Sequence, residues 1–275
     1  MPIQKVSFED SLGKHVLPTR CIGCGTCVVV CPFNCLELEN EQPRIVKACQ
    51  VCGICPQTCP QFKTSMPELE KFVFGREGTD EEEFGIYRRI VIAQATDENI
   101  RIFCQDGGVV TSLLILAFNN GMIDSAVVSG LSEKEPLKPI PRLVTKANDL
   151  LGCAGTRYTY SPNMLALKEG ILQKREKIAY VGTPDQINAV RKIQMVPLRK
   201  YSNPLALTIG LFCSESFTYE GLVKGCIQEK LGIDPQNVKK INIKGKFLIE
   251  TKSGDVKTFP LKEAKKYVSK GCASC

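Results

Sequence analysis

Residues 21–32 and 49–60, which decide the fold, read CIGCGTCVVVCP and CQVCGICPQTCP. Both follow one spacing, Cys-x2-Cys-x2-Cys-x3-Cys-Pro, so eight of the 15 cysteines belong to a repeated motif. The N-terminus lacks the charged and then apolar layout of a signal peptide, which favours a reducing cytoplasm and metal ligation over disulfides. We therefore predict that these thiols hold metal.

The spacing favours cubane iron–sulfur clusters over zinc. In this run, known from bacterial two-cluster ferredoxins, the first three thiolates bind one cluster and the fourth, before proline, binds the other. Structural zinc sites usually contain pairs of cysteine, or of cysteine and histidine, and neither run contains histidine. We predict two 4Fe-4S clusters, one held by Cys21, Cys24, Cys27 and Cys59, the other by Cys31, Cys49, Cys52 and Cys55.

The texture of the sequence changes after the cysteine-dense module of residues 1–62. Residues 63–88 are charged and aperiodic, as in a linker, whose Phe72, Phe74 and Tyr87 are expected to pack on a neighbouring surface. Residues 89–275 alternate strand and helix patterns. We predict an α/β (α+β) fold, in which a ferredoxin-like two-cluster domain precedes a mixed-sheet domain. Predicted strands cover 89–96, 125–131, 142–147, 177–182 and 205–213, two or three more fall within 238–260, and helices cover 108–121, 161–174 (capped by Ser161), 183 onward and 219–231.

The composition limits the function classes. No run of 18 or more apolar residues is present, so no membrane span is predicted. A single histidine, His15, disfavours histidine-based catalysis. The net charge is +7, and residues 101–275 hold 26 basic against 15 acidic side chains. This excess is either an ordinary solvated surface or a field for an anionic partner, but nucleic acid is not expected because no recognition motif accompanies it.

Three polar loops that open helices are candidate cofactor sites. In 105–111 (QDGGVVT) adjacent glycines let N–H groups approach an anion, although an ordinary tight turn has the same composition. Residues 155–163 (GTRYTYSPN) suit an isoalloxazine ring and its phosphates. With 182–186 (GTPDQ), three such loops at strand ends predict a cofactor crevice. The candidate cofactor-binding residues are Gly107, Gly108, Val109, Thr111, Arg157, Tyr158, Thr159, Ser161, Asn163 and Thr183.

The stretch from about residue 86 to 275 resembles the beta subunit of coenzyme F420-reducing hydrogenases and dehydrogenases. The resemblance rests on CQDGGVVTSLL, GTRYTYSPNMLALK, VGTPDQINAVRK, GLFCSESF and GCASC. It implies binding of FAD and an iron–sulfur cluster, and hydride exchange with the deazaflavin coenzyme F420. The fused N-terminal module is similar to that of the input subunits of membrane-bound dehydrogenases that oxidise reduced coenzyme F420, which implies electron-transfer partner subunits.

The same resemblance implies a third 4Fe-4S cluster at Cys213, Cys272 and Cys275. Asp185 stands where the family commonly has a cysteine. It either contributes a carboxylate ligand, a harder partner for iron than thiolate, or merely caps a helix. Relatives continue past the final Cys-x-x-Cys, so the C-terminus is expected to be truncated. The other cysteines have no ligand partners in sequence and are predicted to be buried small hydrophobes: Cys35, Cys104, Cys153 and Cys226.

These features predict an iron–sulfur flavoprotein oxidoreductase that passes a hydride between coenzyme F420 and FAD, and single electrons through the clusters to a partner. No catalytic side chain is predicted because the cofactor does the chemistry. Lys168, Arg191 and Lys192 are candidates for steering phosphates. The alternatives are a ferredoxin-linked flavin reductase of another substrate and a non-catalytic electron-transfer subunit. The expected location is the cytoplasm, peripheral to a membrane complex.

Overall fold

The computed structural model describes residues 3–274, and in it the two cysteine runs fold alike. Gly25 and Gly53 each follow the second cysteine of a run and have a left-handed φ (+77° and +75°), which glycine adopts without steric strain. A five-residue helix then ends before the fourth cysteine. The elements of this N-terminal module are a wide turn at Glu9–Gly13, α1 (Thr26–Val30), β1 (Leu36–Glu39), β2 (Gln42–Ile45) and α2 (Ile54–Thr58), with β1 and β2 antiparallel.

The rest of the chain, here called the large domain, contains two sheets and most of the helices. Its helices are α3 (Met66–Phe74), α4 (Glu98–Phe103), α5 (Val109–Asn119), α6 (Met164–Leu172), α7 (Pro184–Met195), α8 (Arg199–Ser202), a helix of π type (Glu220–Lys230) and α9 (Leu261–Ala264), with shorter turns at Ala147–Cys153, Pro235–Asn237, Lys265–Tyr267 and Lys270–Ser274. Among the helices of residues 3–274, none is both long and apolar enough to cross a membrane.

A four-stranded mixed sheet forms the centre of the large domain, as predicted. β3 (Ser125–Leu131) pairs antiparallel with β4 (Pro139–Val144) and parallel with β5 (Ile178–Gly182), and β5 pairs parallel with β6 (Leu205–Gly210). β5 is buried along its length because both of its faces are covered. The second sheet consists of three antiparallel strands, β7 (Val238–Ile243), β8 (Lys246–Thr251) and β9 (Val256–Pro260), within the predicted range.

The module and the mixed sheet share one hydrophobic core. Leu12 and Val29 of the module pack in the same cluster as Met164, Tyr180 and Ile193 of the large domain. Burying one such side chain stabilises the fold by roughly 1.5–3 kcal/mol, so the two parts support each other. The domain boundary at residue 62 remains a prediction. The module is not connected to the large domain by the linker alone, because its core residues pack against those of the large domain.

The predicted strand over 89–96 is wrong. The segment is irregular, and Ile92 is fully exposed (104%) with its apolar neighbours Ile90 and Val91 also exposed. An apolar run forms a strand only where a neighbouring strand accepts its backbone hydrogen bonds. Here the backbone bond that ends the segment, from Ala95 N to Gly107 O (2.7 Å), leads to a turn instead.

The predicted linker also differs from expectation, because it contains α3. Ser65 caps this helix by accepting a hydrogen bond from Glu68 N (3.4 Å). Phe72, Phe74 and Tyr87 are about half exposed, so their predicted packing is wrong. Two strand bounds shift as well: β4 lies three residues earlier than predicted, and β6 ends at Gly210.

Candidate metal centres and cofactor crevice

The first predicted thiol set lines a cavity of about 360 Å³, open solvent at its mouth included. We call it the first cavity. Burial raises the pKa of Cys24 and Cys27 well above the ordinary thiol value, and the other thiols raise it further. Thiols held this close become thiolates only when a cation compensates their charge, as iron would. The lining consists of Cys21, Cys24, Cys27 and Cys59 with Leu12, Val16, Leu17, Ile22, Gly23, Gly25, Thr26, Pro43 and Gln61.

The second thiol set lines a similar cavity of about 350 Å³, the second cavity. Burial raises the pKa of Cys55 to about 12, followed by the effect of Cys52, Cys49 and Cys31. Backbone N–H groups point at two of the sulfurs: Phe8 N donates to Cys49 Sγ (3.4 Å) and Cys35 N to Cys31 Sγ (3.3 Å). Such hydrogen bonds are one of the ways in which proteins tune cluster potentials.

Both cavities fit cubane clusters in donor chemistry and arrangement. Cys59, at the end of α2, faces the first cavity, and Cys31, at the end of α1, faces the second, so the structure brings together both predicted sets in the crossed arrangement. Neither lining includes histidine or a carboxylate. Within residues 3–274 no group of three histidine, cysteine, aspartate or glutamate side chains is close enough together to hold a single metal ion, as a structural zinc site would require. Ligation of clusters by these thiols remains a prediction.

Cys35 is a residue whose position sequence reasoning missed. It is buried, as predicted, but it lines the second cavity beside the four predicted ligands, and its thiol donates to Ala48 O (3.2 Å). Its position four residues after Cys31, a predicted ligand, could have indicated that it lies near the second cavity. Cys104 and Cys226 are buried as predicted, whereas Cys153 is only partly buried.

Asp185, Cys213 and Cys272 are near enough for the charge of Asp185 to act on both thiols, and we call them the third site; Cys213 is exposed and Cys272 is half-buried. Burial raises the pKa of both thiols, and the charge of Asp185 raises it further. Asp185 is itself 6% exposed: its carboxylate accepts hydrogen bonds from Thr183 Oγ1, Gln186 N (2.9 Å) and Tyr160 Oη (3.4 Å). The predicted fourth member, Cys275, lies outside the described residues.

The third site adjoins the first cavity. At Gly271, a Cβ would lie 2.5 Å from the Ile22 side chain and 2.8 Å from Cys21 O, so this close approach requires glycine. After burial and Cys59, Asp185 also contributes to the raised pKa of Cys24. The three thiol-containing sites therefore form a continuous series, from the third site through the first cavity to the second.

The predicted flavin residues fall into two groups. The first lies at the predicted cofactor crevice, where the Gly107-Gly108 turn, the loop at Arg157 and Tyr158, and strand β7 meet. The turn was expected to follow a strand, but it follows α4. Gln105 links it to β7 by donating to Ile241 O (3.1 Å), and Lys240, which sequence reasoning missed, donates to Gln105 O (2.9 Å).

Arg157 and Thr159 have buried polar atoms without a partner. Arg157 Nη2 donates to Cys153 O (3.3 Å) and Ala154 O (3.1 Å), but its Nε is buried with no hydrogen-bond partner among the described residues. Thr159 Oγ1 is likewise buried with no hydrogen-bond partner among the described residues. Burial also lowers the pKa of Arg157, as expected for a cation held away from water without a carboxylate. Unsatisfied buried donors of this kind fit an anionic ligand such as a phosphate.

The second group is engaged in internal hydrogen bonds. Ser161 was expected to cap α6, but the helix starts at Met164 and Ser161 Oγ donates to Asn163 Oδ1 (2.8 Å). Asn163 Nδ2 donates to Val181 O (3.0 Å), which ties the loop to β5. Thr183 and Gln186 form the predicted start of α7 as a capping box. Val109 and Thr111 occupy the first turn of α5. The second group thus holds the loops in place.

Lys192 is not a phosphate-steering residue on the surface. It is 8% exposed, and its ammonium contacts the main chain of the module at Cys59 and Phe62. Sequence reasoning could not find this contact, because the partners are more than 100 residues apart.

Three family models match the chain. Residues 15–37 match the 4Fe-4S binding domain, residues 90–168 the N-terminal part of the coenzyme F420 hydrogenase/dehydrogenase beta subunit, and residues 175–275 its C-terminal part. In the solved F420-reducing [NiFe] hydrogenase complex from Methanosarcina barkeri, one chain is similar with a TM-score of 0.63 and 36% identity, over 66% of this chain and 63% of that chain.

Relatives of known name include components of hydrogenases and dehydrogenases. The beta subunit of the coenzyme F420 hydrogenase of Methanothermobacter thermautotrophicus is 42% identical, over 70% of this chain and 68% of its own length. A subunit of the F(420)H(2) dehydrogenase of Methanosarcina mazei is 30% identical, over 93% and 71%. The coenzyme F420-dependent sulfite reductase of Methanocaldococcus jannaschii is 34% identical over 98% of this chain, which spans only 42% of that protein.

The thiol-lined cavities and the mixed-sheet domain define an iron–sulfur oxidoreductase subunit with an α/β fold. The chain belongs to the family of coenzyme F420 hydrogenase/dehydrogenase beta subunits.

Proposed function

We propose that this protein passes a hydride between coenzyme F420 and FAD, and passes single electrons through 4Fe-4S clusters to a partner subunit. The series of third site, first cavity and second cavity supports this proposal most directly, because it links the large domain with both thiol sets of the module. When bound, FAD supplies the two-electron to one-electron conversion, and the clusters supply one-electron steps.

The side chains of the crevice would bind and orient the flavin. Arg157 and Thr159 offer buried donors that suit its phosphates, and the Gly107-Gly108 turn places backbone N–H groups at the start of α5. Tyr158, whose ring centroid lies 5.8 Å from that of Phe247, would offer an aromatic surface to the flavin ring. We assign Ser161, Asn163 and Thr183 to positioning these loops, in keeping with their hydrogen bonds.

The series of thiol sites would provide the electron path. Cys27 of the first cavity and Cys55 of the second lie close enough for Cys55 to raise the pKa of Cys27, after burial and the nearer thiols. At the other end, Asp185 of the third site is near both Cys24 of the first cavity and Cys213. We propose a third 4Fe-4S cluster at Cys213, Cys272 and Cys275, with the Asp185 carboxylate as a ligand.

The names of the relatives support coenzyme F420 as the two-electron substrate and other subunits as electron partners. The basic surface of the large domain fits an anionic coenzyme with a phosphate and carboxylate tail. A cytoplasmic location, peripheral to a membrane complex, agrees with this assignment.

The test is to purify the protein without oxygen, measure iron, sulfide and flavin per chain, and then add reduced coenzyme F420. Oxidation of the deazaflavin with reduction of the clusters is expected. Flavin without deazaflavin turnover would favour a ferredoxin-linked reductase of another substrate. Clusters without flavin would favour a non-catalytic electron-transfer subunit.

A further inference from the structure

Lys192 is a buried cation beside the first cavity. It lies in α7, seven residues after Asp185, and therefore about two turns further along the same face of the helix. Its Nζ donates to Cys59 O (2.7 Å), Phe62 O (2.7 Å) and Thr64 Oγ1 (3.0 Å). All three acceptors are neutral, and Cys59 is a predicted cluster ligand.

The ammonium has no carboxylate within salt-bridge distance among the described residues. Glu68, at the exposed first turn of α3, contributes only a weaker field than that of Cys59. A buried charge is costly unless an opposite charge compensates it. A cubane held by four thiolates is anionic, so the first cavity would supply that charge at the position where Lys192 needs it.

The second cavity has no equivalent cation among the described residues. Neither lining contains lysine or arginine, but Lys192 is the one lysine or arginine side chain that is buried within residues 3–274, and it contacts Cys59 of the first set. The neighbours that affect the pKa of Cys55 in the second cavity are other thiols of the same set. The sequence repeat therefore produces two alike thiol sets, but among the described residues only the first receives a buried positive charge from the large domain. Net charge is one of the factors that set the potential of an iron–sulfur cluster.

We propose that Lys192 is a positioning residue for electron transfer, whose ammonium raises the reduction potential of the cluster in the first cavity above that of the cluster in the second. An added electron makes the cluster more negative, and the nearby cation stabilises that state. Electrons that arrive from the flavin side are then held on the first cluster until a partner draws them from the second. This inference rests on the proposed cluster assignment.

The experiment is a redox titration followed by electron paramagnetic resonance, on wild-type protein and on Lys192→Gln, Lys192→Met and Lys192→Arg. The Cys52→Ser variant assigns the signals, because it perturbs only the second set. Glutamine keeps two hydrogen-bond donors and loses the charge. In K192Q and K192M the ratio of reduced to oxidised first cluster at a given potential should fall at least tenfold relative to that of the second, which is 59 mV for a one-electron couple. K192R should stay close to wild type.

Lys168→Met is the matched control. Lys168 also joins the large domain to the module, by a hydrogen bond from Nζ to Asn34 Oδ1 (3.3 Å), but it is partly exposed. K168M should leave the potentials of both clusters unchanged, because solvent screens an exposed charge.

The outcomes separate the inference from the cluster assignment. Wild-type protein without two N-terminal cluster signals would overturn the assignment itself. Two signals whose potentials do not change in K192Q would overturn the role of Lys192 alone, as would an equal shift of both clusters. Loss of the first cluster from both neutral variants but not from K192R would support the charge pairing, whereas its loss from all three would overturn it.

Discussion

The first and second cavities arise from the same cysteine spacing but differ in their surroundings. Three of the four predicted ligands of the first cavity are buried, Cys24, Cys27 and Cys59, whereas in the second only Cys55 is. Two residues of the large domain reach the first set: Lys192 of α7 contacts Cys59, and Tyr180 of β5 lies near Cys24. The difference shows that local spacing selects the metal chemistry, while tertiary packing decides how exposed each site is and which charges surround it.

The largest expected effect breaks the crossed arrangement itself. Cys59 belongs to the second run but lines the first cavity. Cys59→Ala should therefore remove the cluster attached to the first run, a loss of roughly four iron atoms per chain, and leave the other cluster in place. Cys31→Ala should do the reverse. Iron analysis with electron paramagnetic resonance measures both, and loss of the cluster from the mutated run would reject the crossing.

The third site differs from both cavities because it contains a carboxylate, that of Asp185, in addition to thiols. Asp185→Cys should change the spectrum of the third cluster, because thiolate is a softer ligand than carboxylate, and should leave the two N-terminal signals unchanged. Asp185→Asn preserves shape and capping ability and serves as the control for packing. If the spectrum of D185C equals that of wild type, Asp185 only caps α7.

A smaller effect is expected at Tyr180, near Cys24 of the first cavity. Its hydroxyl is fully buried with no partner among the described residues, and after burial the charges of Cys24 and Asp185 raise its pKa further. We expect Tyr180→Phe to lower the potential of the first cluster by less than loss of the Lys192 charge does, since a neutral hydrogen bond is weaker than a charge. If Tyr180→Phe leaves the potential of the first cluster unchanged and raises the melting temperature, the Tyr180 hydroxyl makes no hydrogen bond to the cluster and only destabilises the fold.

The smallest expected effect concerns Glu82, which lies outside both cavities and serves as a reference because its substitution should not change either cluster. Hydrogen bonds from Arg76, followed by Thr79 N, hold the pKa of Glu82 at about 2. A lowered pKa in the folded state stabilises the segment above the ordinary carboxyl range, and this contribution is lost as the pH falls from about 4.5 through 2. Hydrogen exchange of residues 76–82 should show it. Arg76→Gln should abolish the pH dependence without moving either cluster potential.

The parts of the fold that follow from local chemistry were predictable from sequence. The two thiol sets follow from spacing alone, the start of α7 follows from Thr183 and Pro184, and the strands β7 to β9 follow from alternation between turn signals. The same kind of local pattern failed at 89–96, because apolar composition does not reveal whether a neighbouring strand is present to pair with it.

Features that depend on distant contacts were not predictable. From sequence Lys192 was a candidate for steering phosphates, and only its contact with Cys59, 133 residues away in sequence, shows that it is a buried charge directed at the module. The unsatisfied Tyr180 hydroxyl and the place of Cys35 in the second cavity likewise emerge only after the chain is packed. The residues that can bind a cluster are therefore evident from local sequence, whereas the charges and hydrogen bonds that surround the cluster depend on tertiary packing.

The close packing of Gly271 against Cys21 and Ile22 has a consequence for the order of events during synthesis. The cysteines of both runs leave the ribosome early, but the backbone that closes over the first cavity is translated about 250 residues later. Iron can therefore be delivered to the module while this side is still open to the assembly machinery. Docking of the segment at Gly271 then covers a centre that is already assembled, and it links retention of the cluster to folding of the large domain.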